Sequence, residues 1–169
     1  VSRVQLHNSD GRPIRNVGYW QNGKLTKIET VDRDGRSTTR TFPLPGDNET
    51  YDTETRHENG KVFRAYSTRK NHIDGPFREF SEEGIMLRET VYDQEREQSE
   101  NQFYMNGKLK RSVKKIPGGK QLEVQEFWDN GKIKTAGTFV ESQYQRGSWD
   151  SLVEDGRVLR YSKDGVLQE

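Results

Sequence analysis

The chain has no cysteine, which excludes a disulfide scaffold, a thiol nucleophile and a thiolate metal site. It holds only two alanines, Ala65 and Ala136, so a helical bundle is excluded as well. Long hydrophobic runs are missing. The longest aliphatic stretch is Ile85-Met86-Leu87, far short of the roughly 20 residues a membrane helix needs. Charge of one sign is missing too: 28 Lys and Arg stand against 27 Asp and Glu, a net +1, and no global field draws nucleic acid to it. The first residue is Val1 rather than Met, which we read as a trimmed start from which a signal or anchor segment has been removed.

What is present points to strands. Leu, Ile, Val and Phe supply about a fifth of the 169 residues, near the border of disorder. The small net charge and ten Tyr and Trp residues argue against a solvated tail. The abundance of Val, Ile, Thr, Tyr, Phe and Trp favours sheet over helix. A thin sheet fits this composition; a thick globular core does not.

Glycines preceded by Asn, Asp or Glu recur at Gly11, Gly23, Gly35, Gly60, Gly84, Gly107, Gly131, Gly156 and Gly165. From Gly35 the main steps are 25, 24, 23, 24 and 25 residues. A unit of about 24 residues has room for two strands and two turns. Four positions before the glycine stand Tyr19, Phe80, Phe103, Phe127, Leu152 and Tyr161; two positions after it stand Leu25, Met86, Leu109, Ile133, Val158 and Leu167. A three-residue loop closed by a left-handed glycine pairs these two sets, whereas a two-residue loop would put them on opposite faces. The segments SEEG, YMNG, WDNG, VEDG and SKDG therefore read as three-residue hairpin loops. The expected pairs are Phe80–Met86, Phe103–Leu109 and Phe127–Ile133, facing a shared apolar side.

The segments YWQNGKL, DGPFREFSEEGIML, FYMNGKLKR, FWDNGKIKTAGTF and GSWDSLVEDGRVLRYSKDGVL resemble the MORN-2-type repeat. That repeat builds the YwqK-type family of antitoxins and related immunity proteins. The resemblance runs from Tyr19 to Leu167 and departs from the pattern between Thr38 and His57. The expectation is an all-β fold: an elongated, meandering antiparallel sheet of repeated hairpins, one repeat domain over residues 1–169. Its units centre on turns at Gly23, Gly35, Gly60, Gly84, Gly107, Gly131 and Gly156, with an irregular loop around 42–50.

Catalytic groups are sparse. His7, His57 and His72 are scattered and lie in no metal-ligand spacing. Ser67-Thr68-Arg69-Lys70 mimics a Ser-x-x-Lys nucleophile but has no helix start to sit on. Gly118-Gly119 after Pro117 reads as a turn, and Asn48-Glu49-Thr50 as a chance match to a glycosylation acceptor. The chain is expected to be no enzyme, with no catalytic residues, no metal and no cofactor.

The surface remains. If the residues four before each glycine face the dry side, those three before it, Trp20, Tyr104 and Trp128 among them, face the other way as a binding strip. Trp149 breaks the alternation. Charge is banded along the chain: +4 over residues 1–40, −6 over 41–100, +5 over 101–135 and −2 over 136–169. Such bands steer encounter and reject wrong partners. The candidate partner-binding residues are Trp20, Tyr104, Trp128 and Trp149, with Glu79, Glu82 and Glu83 from the acidic band.

The resemblance implies an immunity protein that sterically inhibits a cognate toxin, of which a type VI secretion phospholipase is one class. It implies a periplasmic or cell-envelope location, with the cytoplasm as the alternative. Neither nucleic acid nor direct membrane insertion enters this reading. The alternative function is a non-catalytic scaffold or membrane-associated MORN-type structural protein, for which the basic stretch NGKLKRSVKK at 106–115 would supply lipid contact.

Overall fold

The computed structural model describes residues 6–7, 13–31, 36–43, 47, 49–141, 149 and 152–168. Among them there are fourteen strands and no helix. The turn expected at Gly35 lies outside the described residues. The chain divides into two compact units, Val1–Met86 with Tyr92–Arg96, and Leu87–Val91 with Glu97–Glu169.

In the first unit the strands are β1 (Leu6–His7), β2 (Pro13–Gln21), β3 (Lys24–Val31), β4 (Ser37–Thr41), β5 (Tyr51–Arg56), β6 (Val62–Arg69), β7 (His72–Ile73) and β8 (Gly75–Phe80). They form an antiparallel meander in chain order, with β7 and β8 both pairing β6. Of the irregular loop expected around 42–50, residues 44–46 and 48 lie outside the described residues. Phe42 is buried with its ring centroid 5.6 Å from that of Tyr51, and Asp47 Oδ1 accepts the amides of Glu49 and Thr50. Rings also line up along this unit: Tyr66 stacks on Phe77 at 5.3 Å, and Phe77 meets Tyr92 edge-on at 6.3 Å.

A local cluster ties β2 to β3. Tyr19 donates to Glu29 at 2.6 Å, and the Lys27 ammonium donates to the same carboxylate at 2.8 Å while lying 4.0 Å over the Tyr19 ring. The Lys27 hydrogen bond, then that of Tyr19, holds the Glu29 carboxyl below the usual carboxylate range. A lowered folded pKa contributes stability that is present above the unfolded value and lost as pH falls through the folded one. Glu29→Gln should therefore flatten part of the acid limb of a stability–pH curve, and, because Glu29 also holds the Lys27 ammonium above its usual range, lower stability on the alkaline side up to the Lys27 titration. Urea melts from acid to alkaline pH read this directly.

Strands β9 (Met86–Asp93) and β10 (Arg96–Phe103) supply residues to both units. In the second unit, β10 is followed by β11 (Leu109–Lys115), β12 (Gln121–Phe127), β13 (Ile133–Glu141) and β14 (Leu152–Arg160), each antiparallel to the one before. Pro117-Gly118-Gly119-Lys120 turns β11 into β12, as expected.

The three-residue loops form at four of the five expected places. In each, the glycine amide bonds back to the carbonyl three residues earlier: Gly84 to Ser81, Gly107 to Tyr104, Gly131 to Trp128 and Gly165 to Ser162. Gly131 has φ +91°, a conformation nearly closed to other residues. Phe103 pairs Leu109 and Phe127 pairs Ile133 as the spacing demands. A fifth loop of the same kind, His57–Lys61, closes β5 to β6.

Three expectations fail. VEDG is no hairpin: β14 runs straight through it, and the register slips between Gly137 and Phe139 on the partner strand. Gly156, at φ +106°, makes a bulge there, because the nine-residue β13 needs an equally long partner. At Gly23 the loop has two residues: Asn22 itself takes φ +52°, so Gln21 pairs Lys24, and Trp20 rather than Tyr19 meets Leu25. Third, the driest side of the second unit is not that of Phe103 and Phe127. The buried cluster is Val113, Leu122, Val124 and Trp149, with Phe139 and Leu152 packed on it. Val113, Leu122 and Val124 alternate with Phe127 and so lie on the opposite face, towards the middle of the strands, while Ile133 is exposed. Strand ends beside a loop meet water; strand middles under a covering tryptophan do not.

Candidate functional site

Two features carry the polar chemistry of the fold: a hydrogen-bonded edge formed by the loops, and a groove on one face of the second unit.

At the edge, each three-residue loop carrying Asn-Gly-Lys, at Gly60, Gly107 and Gly131, serves itself and the next loop. Asn59, Asn106 and Asn130 accept at Oδ1 the amides of Lys61, Lys108 and Lys132, at 3.0, 3.0 and 2.9 Å. Their Nδ2 groups donate onward to the carbonyls of Glu82, Asp129 and Lys163. The three lysine ammoniums donate to the next residue along, the carbonyls of Glu83, Asn130 and Asp164, at 3.0, 3.1 and 2.7 Å. Each lysine stem crosses the glycine of the loop it reaches: a Cβ on Gly84, Gly131 or Gly165 would lie 3.7, 3.9 or 3.5 Å from that lysine's Cδ. The residue that opens each loop joins in. His57 Nε2 reaches the Phe80 carbonyl at 3.0 Å, Tyr104 hydroxyl the Phe127 carbonyl at 2.7 Å, and Trp128 Nε1 the Tyr161 carbonyl at 3.2 Å. A carbonyl only accepts, so His57 carries its proton on Nε2.

The remaining two loops are of another kind. SEEGI and SKDGV have Glu83 and Asp164 in place of Asn, and Ile85 and Val166 in place of Lys. Ser81 and Ser162 hydroxyls take over the internal duty, accepting the amides of Ile85 and Val166. These loops receive bonds from the preceding loop and have no amide or ammonium to pass one on. The Asp129–Lys163 pair, 2.8 Å, adds one ionic tie in the second unit and holds the Asp129 carboxyl low and the Lys163 ammonium high.

The groove lies over β11 to β14 in the second unit, with a volume of about 500 Å³. Arg111, Glu126, Thr135 and Arg160 face one another across the four strands and form its central row. Trp128, Lys134 and Tyr161 stand on the loop side; Val124, Phe139 and Leu152 stand on the other. Lys134 is 5.3 Å over the Trp128 ring and 3.6 Å from Glu126, and Arg160 is paired with Glu154.

The residues singled out from sequence fall into different settings. Trp20, 38% exposed, folds its ring back over Gly18. Glu79 is half-buried in a 2.8 Å pair with Arg64. Glu82 and Glu83 are exposed and lend their carbonyls to Asn59 and Lys61, and the Ser81 hydroxyl holds the Glu83 carboxyl low. These four belong to the first unit. In the second, Tyr104 and Trp128 are half-buried and tie loop to loop, and Trp128 also walls the groove. Trp149 is a correction: at 3% exposure, with Nε1 donating to Glu141, it belongs to the core and not to a binding strip.

Sequence reasoning passed over the donors of the edge, although Asn before and Lys after the glycine were visible at Gly60, Gly107 and Gly131. It also passed over Arg111, one cation among several in a basic stretch. Among the described residues no group of His, Cys, Asp and Glu could hold a metal ion.

A family model for a MORN repeat variant matches residues 120–141, which are β12, the WDNGK loop and β13. No curated protein matches the chain. The chain is a repeat protein of β-hairpins, an architecture that fits a scaffold.

Proposed function

We propose that this chain is an immunity protein, a non-catalytic antitoxin that binds a cognate bacterial toxin and blocks it by covering surface the toxin needs. The observation that supports it most is the loop edge. Within each unit it ties successive three-residue loops through side chain and carbonyl, the Gly60 loop to the Gly84 loop in the first and the Gly107, Gly131 and Gly165 loops in the second. This holds the local sheet faces as fixed arrays, and pre-ordered surfaces bind with little further entropy cost. The resemblance of the repeats to antitoxin sequences supplies the class of partner, a type VI secretion effector of phospholipase type. An antidote to such an enzyme works in the periplasm or cell envelope, where the lipid is attacked.

A scaffold role is the second reading, favoured by the MORN-variant match at 120–141. The membrane-associated form of it is weaker. The cations of 106–115 are spread over both faces of β11: Lys114 alternates with Arg111 and Lys115, and Lys108 is tied to the Asn130 carbonyl. A basic patch on one side is what lipid attraction needs. Co-expression with the product of a neighbouring toxin gene tests the proposal. Restored growth and a 1:1 complex by light scattering are expected. Absence of both, together with salt-sensitive flotation on anionic vesicles, would transfer the chain to the scaffold class.

A further inference from the structure

The groove of the second unit has a cation short of acceptors. Among the described residues three cations line it. Lys134 has Glu126 and Arg160 has Glu154. Arg111 differs: its side chain is only 14% exposed and its nearest carboxylate, Glu100, is 3.9 Å away, too far for a hydrogen bond. Glu100 is itself engaged by the Gln102 amide at 2.8 Å and by Arg88 at 3.4 Å. A guanidinium offers five donors in a planar fork, and one largely withdrawn from water needs acceptors to fill it. Carboxylates match that fork two bonds at a time.

The surroundings narrow the occupant. Trp128, Phe139, Leu152 and Tyr161 give the groove apolar walls, and two carboxylates against three cations leave its lining net positive. A lone small anion would leave those walls wet. We infer that the groove receives an extended acidic–aliphatic segment of a partner protein, with one Glu or Asp carboxylate forked by Arg111 and the flanking aliphatic side chains on the walls. The inference rests on the protein-binding reading above and names the chemistry of the partner's contact segment.

Two blocked peptides test it on the full chain: Ac-Leu-Glu-Leu-NH2 and its neutral isostere Ac-Leu-Gln-Leu-NH2, with the Arg111 Nε–H and Trp128 Nε1–H resonances as reporters. The Glu peptide should shift both signals, and the Gln peptide should bind roughly tenfold more weakly, the worth of a charge-assisted bidentate contact. Arg111→Gln should erase the preference. Equal binding of the two peptides by the unaltered chain overturns the inference, as do unmoved signals or a preference that survives the substitution. A concentration-dependent dimer abolished by Arg111→Gln would give the groove to a second copy and overturn it as well. Binding of the Glu peptide without any toxin neutralisation removes the immunity reading alone. Neutralisation with no carboxylate preference removes this inference alone.

Discussion

Trp149→Ala will destabilise the second unit by about 3–5 kcal/mol, the range for truncating a buried aromatic side chain. Trp149 covers Val113, Leu122 and Val124, which are 0%, 1% and 2% exposed, the driest apolar side chains among the described residues of the unit. Its removal opens those three to water and deletes the indole N–H bond to Glu141, whose exposed carboxylate turns to solvent. Leu122→Ala should cost about 2–5 kcal/mol by the same mechanism, and the pair should cost less than the sum, because the two side chains share one cluster. Urea unfolding followed by far-UV dichroism reads all three variants without relying on the lost fluorophore. Trp20→Ala is the contrast: a side chain 38% exposed loses far less. A Trp149 variant as stable as the Trp20 variant would return Trp149 to the surface, where its sequence position had placed it.

How much of this was legible beforehand depends on how local the cause is. The loops at Gly84, Gly107, Gly131 and Gly165 follow from a few residues around each glycine, and all four form as the spacing required. Gly156 carries the same local signal and makes a bulge instead, because its outcome is decided by the length of β13, which pairs with it from outside the window. Asn22-Gly23 went to a two-residue turn because asparagine shares the left-handed conformation with glycine, so the turn has two candidates for positive φ where the pattern counted one.

The sites divide the same way. Tyr104 and Trp128 stand out as large rings that the alternation puts on the face opposite Phe103 and Phe127, and they do occupy special positions. Their polar ends bond the neighbouring hairpin, a contact between residues 23 and 33 positions apart. Trp149 joins the expected binding strip although it breaks the alternation, and a break in alternation does not distinguish a lid from a lure. Arg111 could not be told from Lys110 or Lys114 by charge. Only the pairing of β11 with β12 puts it in a row with Glu126, Thr135 and Arg160.

The loop edge makes the second large prediction, since it assigns a direction to a motif that reads as mere turn chemistry. Three-residue loops with Asn and Lys around the glycine pass bonds forward; those with an acid and an aliphatic residue there only receive them. Converting WDNGK to the receiving kind with Asn130→Asp and Lys132→Val removes the bonds to the Lys163 and Asp164 carbonyls. Both carbonyls then turn to water, so the loss is that of two ordinary hydrogen bonds, about 1–3 kcal/mol together. The loss should be local. Exchange of the Ser162 and Gly165 amides, which close the receiving loop, should quicken by roughly 5- to 150-fold, while Leu122 and Val124 stay protected. Trp128→Phe, which keeps the ring and deletes the indole donor to Tyr161, should give a smaller shift in the same amides. Unchanged exchange at Ser162 and Gly165 in the double variant would mean that strand pairing alone holds the last hairpin. The Asn and Lys of each loop would then be turn formers with no part in ordering the repeats.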